Sequence, residues 1–150
     1  MNANLFSKIL VAIDGSTYSE KAIEYATTIS KKFNSKLILL TILDFSFKNF
    51  PSTIVTAPTY GLDEFNKMKA SIEKYHKNTI SNLEKEKIDI KSIILEGSSA
   101  VKSILDCSER EKIDLIILNT RGRTGFKKLL MGSVASGVVT YAHCPVMIIR

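Results

Sequence analysis

The chain has 150 residues, of which 45% are hydrophobic and 24% are charged, and its formal net charge at pH 7 is +6. This length and composition suit a globular protein, and we predict one domain over residues 1–150. No apolar run approaches the roughly 20 residues that a membrane-spanning helix requires, so we expect no membrane partner. The start of the chain does not resemble a secretory signal, and two cysteines are too few for a disulfide framework or a zinc site, so we expect a reducing cytoplasm.

Positive charge is concentrated in the last quarter of the chain. No Asp or Glu follows Asp114, whereas five basic residues do: Arg121, Arg123, Lys127, Lys128 and Arg150. This imbalance predicts an anionic partner, above all a phosphate, for this end of the molecule. In the rest of the chain acids balance the lysines, which favours a solvated surface over a nucleic-acid-binding face.

Five short apolar runs, rich in β-branched residues, predict β-strands. In chain order they are Ile9–Ile13, Leu37–Leu43, Ile90–Leu95, Leu115–Leu118 and Val146–Ile149. The second and fourth runs are almost continuously apolar, as expected of central parallel strands that are buried on both faces.

Apolar residues at helical spacing, together with capping residues, predict four helices between these strands. The first predicted helix runs from a capping box of Thr17 and Glu20 to Asn34. The others are predicted over residues 61–87, from a cap at Ser98 or Ser99, and over Ser133–Ala142. Strands and helices therefore alternate, which predicts an α/β fold with a parallel sheet, helices on both faces and right-handed crossovers.

The carboxyl ends of the strands are the expected place for a ligand. Open parallel sheets bind ligands at these ends, where the strand order reverses. The first, second and fourth strands are followed by Asp14–Ser16, Asp44 and Asn119–Gly122, respectively. These segments converge only if the first and fourth strands are neighbours.

The segment between the fourth strand and the fourth helix carries the strongest functional signal. Gly122, Gly125 and Gly132 permit positive φ or a close approach of the backbone to a ligand. The helix that begins at Ser133 offers N–H groups and a dipole that favour an anion. The positively charged side chain of Arg121 could bind the same anion. We predict an anion-binding loop here, with Ser133 expected to cap the helix.

Asp14 follows the first strand at the same edge of the sheet. Its carboxylate can accept hydrogen bonds from ribose hydroxyls, or it can stabilise the bend from strand to helix as an Asx turn. The sequence leaves both interpretations open. The neighbouring Gly15 is expected to serve the turn.

Signals for catalysis are weak. His76 is predicted at the surface of a helix, and His143 near the amino edge of the sheet, away from the ligand end. The chain contains no serine-hydrolase elbow, no zinc-protease helix and no Walker A sequence. We therefore predict neither catalytic residues nor metal ligands, and Cys107 and Cys144 are expected to be small buried hydrophobes.

Taken together, the motifs resemble the universal stress protein family over nearly the whole chain. The matching segments are Ile9–Ser16, Glu96–Gly97, Ile113–Leu118, Gly122–Phe126, Met131–Val134 and His143–Val146. ATP-binding members of that family carry the pattern G-x2-G-x9-G-[S/T]. Gly122 and Gly132-Ser133 fit it, whereas Asn119 stands at the first glycine. Asn tolerates left-handed φ better than other non-glycine residues, so the same turn is expected at Asn119.

The resemblance implies a flavodoxin-like sheet of order 3-2-1-4-5 and the binding of ATP or another adenine nucleotide, with or without Mg²⁺. The residues that it implies, from adenine through ribose to phosphate, are Ile42, Asp14, Gly122, Gly132, Ser133 and Val134. Asn119, Arg121 and Gly125 complete the predicted nucleotide site. Family members commonly pair through the last strand, so the resemblance and the apolar sequence of Val146–Ile149 both predict a homodimer.

Three functional hypotheses follow from these features. The favoured one is a nucleotide-binding module in stress response or signalling that hydrolyses its ligand slowly at most. A nucleotide hydrolase on the same fold is disfavoured, because no general base stands out near the loop beyond Asp14 and Asp44. A protein-interaction module that binds no nucleotide is kept open by Asn119.

Overall fold

The alternation of strands and helices is present in the computed structural model, which describes residues 4–44, 58–120 and 131–150. In chain order the elements are β1 (Lys8–Ala12), α1 (Thr17–Phe33), β2 (Lys36–Leu43), α2 (Pro58–Lys85), β3 (Ile90–Glu96), α3 (Ala100–Arg110), β4 (Leu115–Asn119), α4 (Ser133–Tyr141) and β5 (Val146–Ile149). Each predicted strand is found within a residue or two of its predicted bounds.

The sheet has the order β3-β2-β1-β4-β5, and all its strand pairs are parallel, which confirms the predicted fold. In the central strand β1, Ile9 is in register with Leu37 of β2 on one side and with Leu115 of β4 on the other. The strand order reverses at β1. The carboxyl ends of β1 and β4 are therefore neighbours, as convergence of the predicted ligand segments requires.

The core consists of two layers, one on each face of the sheet. Ile9 and Val11 of β1 pack into the layer beneath α1 and α2, whereas Leu10 packs into the layer beneath α3 and α4. Successive side chains of a strand point to opposite faces, so a strand covered on both faces must be apolar throughout. This explains why the central strands lack the alternating pattern of a half-exposed strand.

The ends of two helices follow local sequence rules. Asn34 ends α1 in the left-handed conformation with φ 52°, and its N–H donates to the carbonyl of Ser30, as predicted. Ser99 caps α3, because its hydroxyl accepts a hydrogen bond from the Lys102 N–H at 3.3 Å. The predicted cap at Thr17 is wrong: Ser16 is the N-cap residue of α1, and its side chain makes no capping hydrogen bond.

Helix α2 covers β2 and β3 on the face that it shares with α1. It begins at Pro58 and ends at Lys85, so the predicted range of residues 61–87 was displaced toward the carboxyl terminus. Proline suits a first helical turn, because its missing N–H would have no partner there. Within the described ranges, no helix has both the length and the apolar character needed to cross a membrane.

His76 of α2 is buried, so its predicted place at the surface is wrong. Its side chain is 2% exposed and lies between two hydroxyls, with Nε2 2.7 Å from Thr41 Oγ1 and Nδ1 2.7 Å from Ser92 Oγ. Burial lowers the pKa of His76 from 6.5 to about 4, so the ring is neutral at pH 7. His76 follows Ile72 by one helical turn and shares its inward face.

Candidate functional site

A cleft of about 720 Å³ opens at the carboxyl edge of the sheet, beside the point where the strand order reverses. The predicted site residues that line it are Asp14, Ile42, Asn119, Gly132, Ser133 and Val134. Arg121, Gly122 and Gly125 lie outside the described residues. Residues that are far apart in the sequence are thus brought together by the adjacency of β1 and β4.

The turn between β1 and α1 presents Asp14 to the cleft. Asp14 Oδ1 accepts hydrogen bonds from the Ser16 N–H at 2.9 Å and from the Ser19 hydroxyl at 3.1 Å, and Ser19 Oγ accepts from the Asp14 N–H at 3.3 Å. These bonds form the Asx turn that the sequence allowed. Gly15 has φ 79°, a left-handed conformation that favours glycine, and a Cβ there would also displace Ile72 Cδ1, which would lie 2.8 Å away.

The start of α4 forms the opposite wall of the cleft. The Gly132 N–H donates to the Thr120 carbonyl at 2.9 Å, and the Gly132 carbonyl accepts the first helical bond from the Ser136 N–H at 2.9 Å. Gly132 is therefore the N-cap residue and Ser133 the first helical residue, which corrects the predicted cap at Ser133. A Cβ on Gly132 would lie 2.8 Å from the Thr120 carbonyl oxygen, so the backbone itself requires glycine at this position.

Asn119 does not adopt the left-handed conformation expected of it. It is the last residue of β4, in register with Ile149 of β5, and it is not among the described residues with positive φ. The expectation failed because pairing with β5 extends β4 by one residue. The Asn119 side chain instead donates a hydrogen bond from Nδ2 to the carbonyl oxygen of Tyr18, in the first turn of α1.

Helix α2 supplies a wall of the cleft that the sequence analysis missed. Phe65 and Met68 line the cleft and pack near Leu43. An ion pair of 2.8 Å between Lys69 and Glu96 joins α2 to the end of β3, and the Glu96 carboxylate raises the pKa of Lys69. The amphipathic pattern identified the buried face of this helix, but not which part of that face lies beyond the strand ends.

The described lining of the cleft is acidic rather than basic. It contains the carboxylates of Asp14, Asp44 and Glu64 and, within the described residues, no Lys or Arg. Burial, and then the negative charges of Glu20 and Asp14, raise the pKa of Tyr75 on α2, close to the same edge. The predicted basic side chains belong to residues 121–128, beyond the described residues. Within the described lining, the N–H groups and the dipole at the start of α4 are the features that favour an anion.

The described residues contain no group of three or more His, Cys, Asp or Glu side chains that could hold a metal ion. Ser19 and Thr120 also line the cleft, although the sequence analysis did not select them. Thr120 directly follows Asn119, the last residue of β4, and lies two residues beyond the predicted end of this strand at Leu118.

A flavodoxin-like α/β domain with a cleft at its strand reversal is thus the class that the fold defines. The sequence model of the universal stress protein family matches residues 5–150, and the chain belongs to that family. The universal stress protein MJ0531 of Methanocaldococcus jannaschii is 32% identical over 149 residues, which cover 98% of this chain and 84% of that protein. YxiE of Bacillus subtilis is 31% identical over 149 residues, covering 97% of this chain and 100% of that protein.

Solved structures of the family share the fold. MJ0577 of the same archaeon has a TM-score of 0.82 at 25% identity, over 97% of this chain and 96% of that chain. A universal stress protein of Archaeoglobus fulgidus, in complex with dAMP, has a TM-score of 0.68 at 17% identity, over 97% and 99% of the two chains. A family protein of Arabidopsis thaliana with AMP bound has a TM-score of 0.67 at 20% identity, over 95% and 90%. At these identities the last two demonstrate the common fold alone.

Proposed function

We propose that the chain is an adenine-nucleotide-binding module in stress response or signalling, with ATP or another adenine nucleotide as its ligand. The observation that carries the proposal is the convergence of Asp14, Ile42 and the start of α4 on one cleft at the strand reversal. Open parallel sheets bind ligands at this position. The AMP and dAMP bound by two proteins of the same fold support an adenine nucleotide as the ligand.

In this proposal the phosphates bind at the start of α4. The N–H groups of Ser133 and Val134 lie in the first helical turn, where no acceptor exists within the helix, and the helix dipole favours negative charge there. The N–H of Gly132 is bound to the Thr120 carbonyl, and a Cβ at Gly132 would meet the same carbonyl oxygen, so Gly132 contributes by letting α4 start close to the end of β4 rather than by donating to a phosphate. Gly122, Gly125 and Arg121 contribute to the same phosphate site by sequence prediction.

The ribose is assigned to Asp14. A carboxylate has roughly four acceptor sites, so the two hydrogen bonds at Oδ1 do not preclude bonds to ribose hydroxyls. The Asx turn fixes the orientation of this carboxylate before the ligand arrives, which lowers the entropic cost of binding. Both interpretations of Asp14 can therefore hold together.

The adenine is assigned to the backbone of Ile42. The carbonyl of Leu40 bonds to Ile13 on the β1 side, and the carbonyl of Leu43 bonds to Gly97 on the β3 side. Backbone groups alternate between the two sides of a strand, so those of Ile42 face the β1 side. There β1 has passed its last paired residue, because Ala12 is in register with Leu40. Ile42 can thus offer a donor and an acceptor to the edge of a base.

Hydrolysis is expected to be slow at most. Two of the three carboxylates that line the described cleft have partners within the protein: Asp14 is engaged in the Asx turn, and Glu64 Oε1 lies 3.6 Å from Lys67 Nζ. Neither arrangement resembles a general base poised beside a phosphate. Turnover should stay far below the enzyme median of roughly 10 s⁻¹.

Mass spectrometry of small molecules released from freshly purified, denatured protein tests the proposed ligand. We expect an adenine nucleotide from the wild type and much less from Asp14→Ala purified in parallel. If the wild type releases no nucleotide and neither ATP nor AMP raises its melting temperature, the interaction-module hypothesis replaces this proposal.

We also propose a homodimer that pairs through β5. Within the described sheet β5 is an outer strand, and its residues Val146–Ile148 are only half-buried. An outer strand with half-buried apolar residues invites pairing with a second chain. Tyr141, at the end of α4, is a further exposed apolar residue, with 72% of its surface accessible. Light scattering should give twice the chain mass; a value of 16.7 kDa at micromolar concentration would contradict the dimer.

A reducing cytoplasm remains our prediction for the compartment. Cys107 and Cys144 are both free thiols, and burial raises the pKa of each. A thiol with a raised pKa is less reactive. Cys107 is buried, as predicted for a small hydrophobe, whereas Cys144 is only partly buried.

A further inference from the structure

The end of β4 carries an amide at the place where ATP-binding members of the family have a glycine. Asn119 Nδ2 donates to the carbonyl oxygen of Tyr18, across 101 positions of sequence. Tyr18 directly precedes Ser19, whose hydroxyl donates to Asp14 Oδ1 at 3.1 Å. The amide of Asn119 is therefore joined to the segment that holds the proposed ribose contact.

The next residue of the chain links the same strand end to the other wall of the cleft. Thr120 accepts a hydrogen bond from the Gly132 N–H at 2.9 Å, and Gly132 is the N-cap residue of α4. Asn119 and Thr120 together connect the starts of α1 and α4, which flank the cleft. A glycine at position 119 would keep the link to α4, which uses Thr120, and would lose the link to α1.

The backbone gives no reason for glycine at position 119. Asn119 is a strand residue paired with β5, and its φ is not positive. The strand conformation is open to any residue, and a glycine would add conformational freedom to the unfolded chain. The side chain of Asn119 is therefore best explained by the hydrogen bond that it makes.

We propose that Asn119 is a positioning residue, which clamps the first turn of α1 to the end of β4 and so holds Asp14 at a fixed distance from the start of α4. The inference rests on the proposed nucleotide site. It has a counter-intuitive consequence: Asn119→Gly, which recreates the glycine of the family pattern, weakens nucleotide binding. The loss of one solvent-accessible hydrogen bond corresponds to about a fivefold lower affinity.

Calorimetry with AMP and ATP tests the clamp in a double-mutant cycle. Asn119→Ala and Asn119→Gly are each measured alone and together with Asp14→Ala. Because the clamp acts through Asp14, each should weaken binding about fivefold alone and cause little further loss beside Asp14→Ala. Unchanged or tighter binding by Asn119→Gly, or losses that add in the double variants, would overturn the proposal.

A matched control is Thr140→Ala, which removes another exposed hydrogen bond from a side chain to the backbone, from Thr140 Oγ1 to the Ser136 carbonyl at 2.8 Å. Thr140 is not among the residues that line the cleft, so its loss should leave affinity unchanged. A loss as large as that of Asn119→Ala would mean that any weakened helix end lowers affinity, which overturns a specific clamp.

Hydrogen exchange of the nucleotide-free protein separates the clamp from the proposed function. Amides of residues 15–22 should exchange several-fold faster in Asn119→Ala than in the wild type, and at the wild-type rate in Thr140→Ala. Unchanged exchange in Asn119→Ala overturns the clamp whether or not nucleotide binds. Failure of the wild type to bind any adenine nucleotide, with faster exchange in the variant, would instead refute the proposed function.

Discussion

The cleft and the environment of His76 place similar groups in opposite situations. In each, hydroxyl side chains surround one ionisable group: Ser19 beside Asp14 in the cleft, and Thr41 and Ser92 beside His76 under α2. His76 is 2% exposed and both its ring nitrogens have partners, whereas Asp14 lines a cleft of about 720 Å³. The same chemistry therefore stabilises the fold where it is closed, and is available to a ligand where it is open.

The buried group of His76, Thr41 and Ser92 should dominate the loss of stability of the fold at acid pH. The pKa of His76 is about 4 in the folded protein and 6.5 unperturbed, so between these values the unfolded chain binds the proton more readily. Protonation of His76 leaves the free energy of unfolding unaffected above pH 6.5. As the pH falls from 6.5 toward 4, it lowers this free energy by about 3 kcal/mol in total. Urea denaturation across this range measures it.

A variant at His76 isolates this effect. Because glutamine cannot titrate, the unfolding free energy of His76→Gln should depend less on pH than that of the wild type. His76→Gln should also bind nucleotide at pH 7 within about twofold of the wild type. A pH profile that His76→Gln leaves unaltered would contradict the assigned role, and a large loss of affinity would break the distinction between the clusters.

Changes to Asp14, which is open to the cleft, should alter the affinity for the nucleotide. Asp14→Ala is expected to weaken nucleotide binding by about 1.5–3 kcal/mol, since it removes a charged acceptor from the ribose. Asp14→Asn retains the acceptor oxygen for Ser16 and Ser19, and therefore separates loss of the turn from loss of the carboxylate. Calorimetry and thermal melts on both variants should show Asp14→Asn near wild-type stability with reduced affinity. Wild-type affinity in Asp14→Ala would remove Asp14 from the site.

A proline at the first position of α4 tests the proposed binding of the phosphates by the N–H groups at the start of this helix. Gly132 has φ −68° and ψ 165°, a conformation that may precede proline, and proline is favoured at a first helical position. Ser133→Pro should thus preserve the helix while removing one N–H, and lower the affinity for ATP by about 1 kcal/mol. Ser133→Ala removes the hydroxyl alone. Adenosine, which lacks phosphate, should bind both variants and the wild type alike; an equal loss for adenosine would contradict the assignment.

Gly132 is a poorer choice for such a test. A larger residue at Gly132 would enter the space proposed for the phosphates, but its Cβ would first meet the Thr120 carbonyl oxygen at 2.8 Å. Gly132→Val would therefore disturb the link between β4 and α4 and confound binding with folding.

Salt should have the smallest effect. The predicted attraction comes from Arg121 and its basic neighbours together with the start of α4, and salt screens exposed charges. Raising the salt concentration should weaken the binding of ATP more than the binding of AMP, because ATP carries more charge. It should not alter the effect of His76 on the free energy of unfolding. Calorimetry in a salt series measures this; equal slopes for the two nucleotides would argue against a phosphate site.

The apolar runs were sufficient to predict a parallel α/β fold, because burial on both faces leaves a direct signal in the sequence, whereas the strand order was implied by the family resemblance. A run such as Leu115–Leu118 can be satisfied only in the interior of a covered sheet, and the helices between such runs force the strands to be parallel. The end of α1 at Asn34 was predicted from local sequence, and Ser99 was one of two candidates for the cap of α3. The caps expected at Thr17 and Ser133 were each placed one residue too late.

Features that depend on distant contacts were missed. His76 stands among lysines and glutamates, and only the positions of Thr41 and Ser92 on two strands make its burial favourable. Asn119 was expected in a turn, but pairing with Ile149 keeps it extended. The roles of Arg121, Gly122 and Gly125 remain predictions from sequence, because the structure does not describe them.

Titration of the wild-type protein with ATP and AMP by calorimetry, in the presence of Mg²⁺ and at low salt, tests the central claim most directly. The account predicts saturable binding of one nucleotide per chain well below millimolar concentration. No binding by folded protein at millimolar nucleotide would contradict it, and the chain would then be an interaction module on the universal stress protein fold.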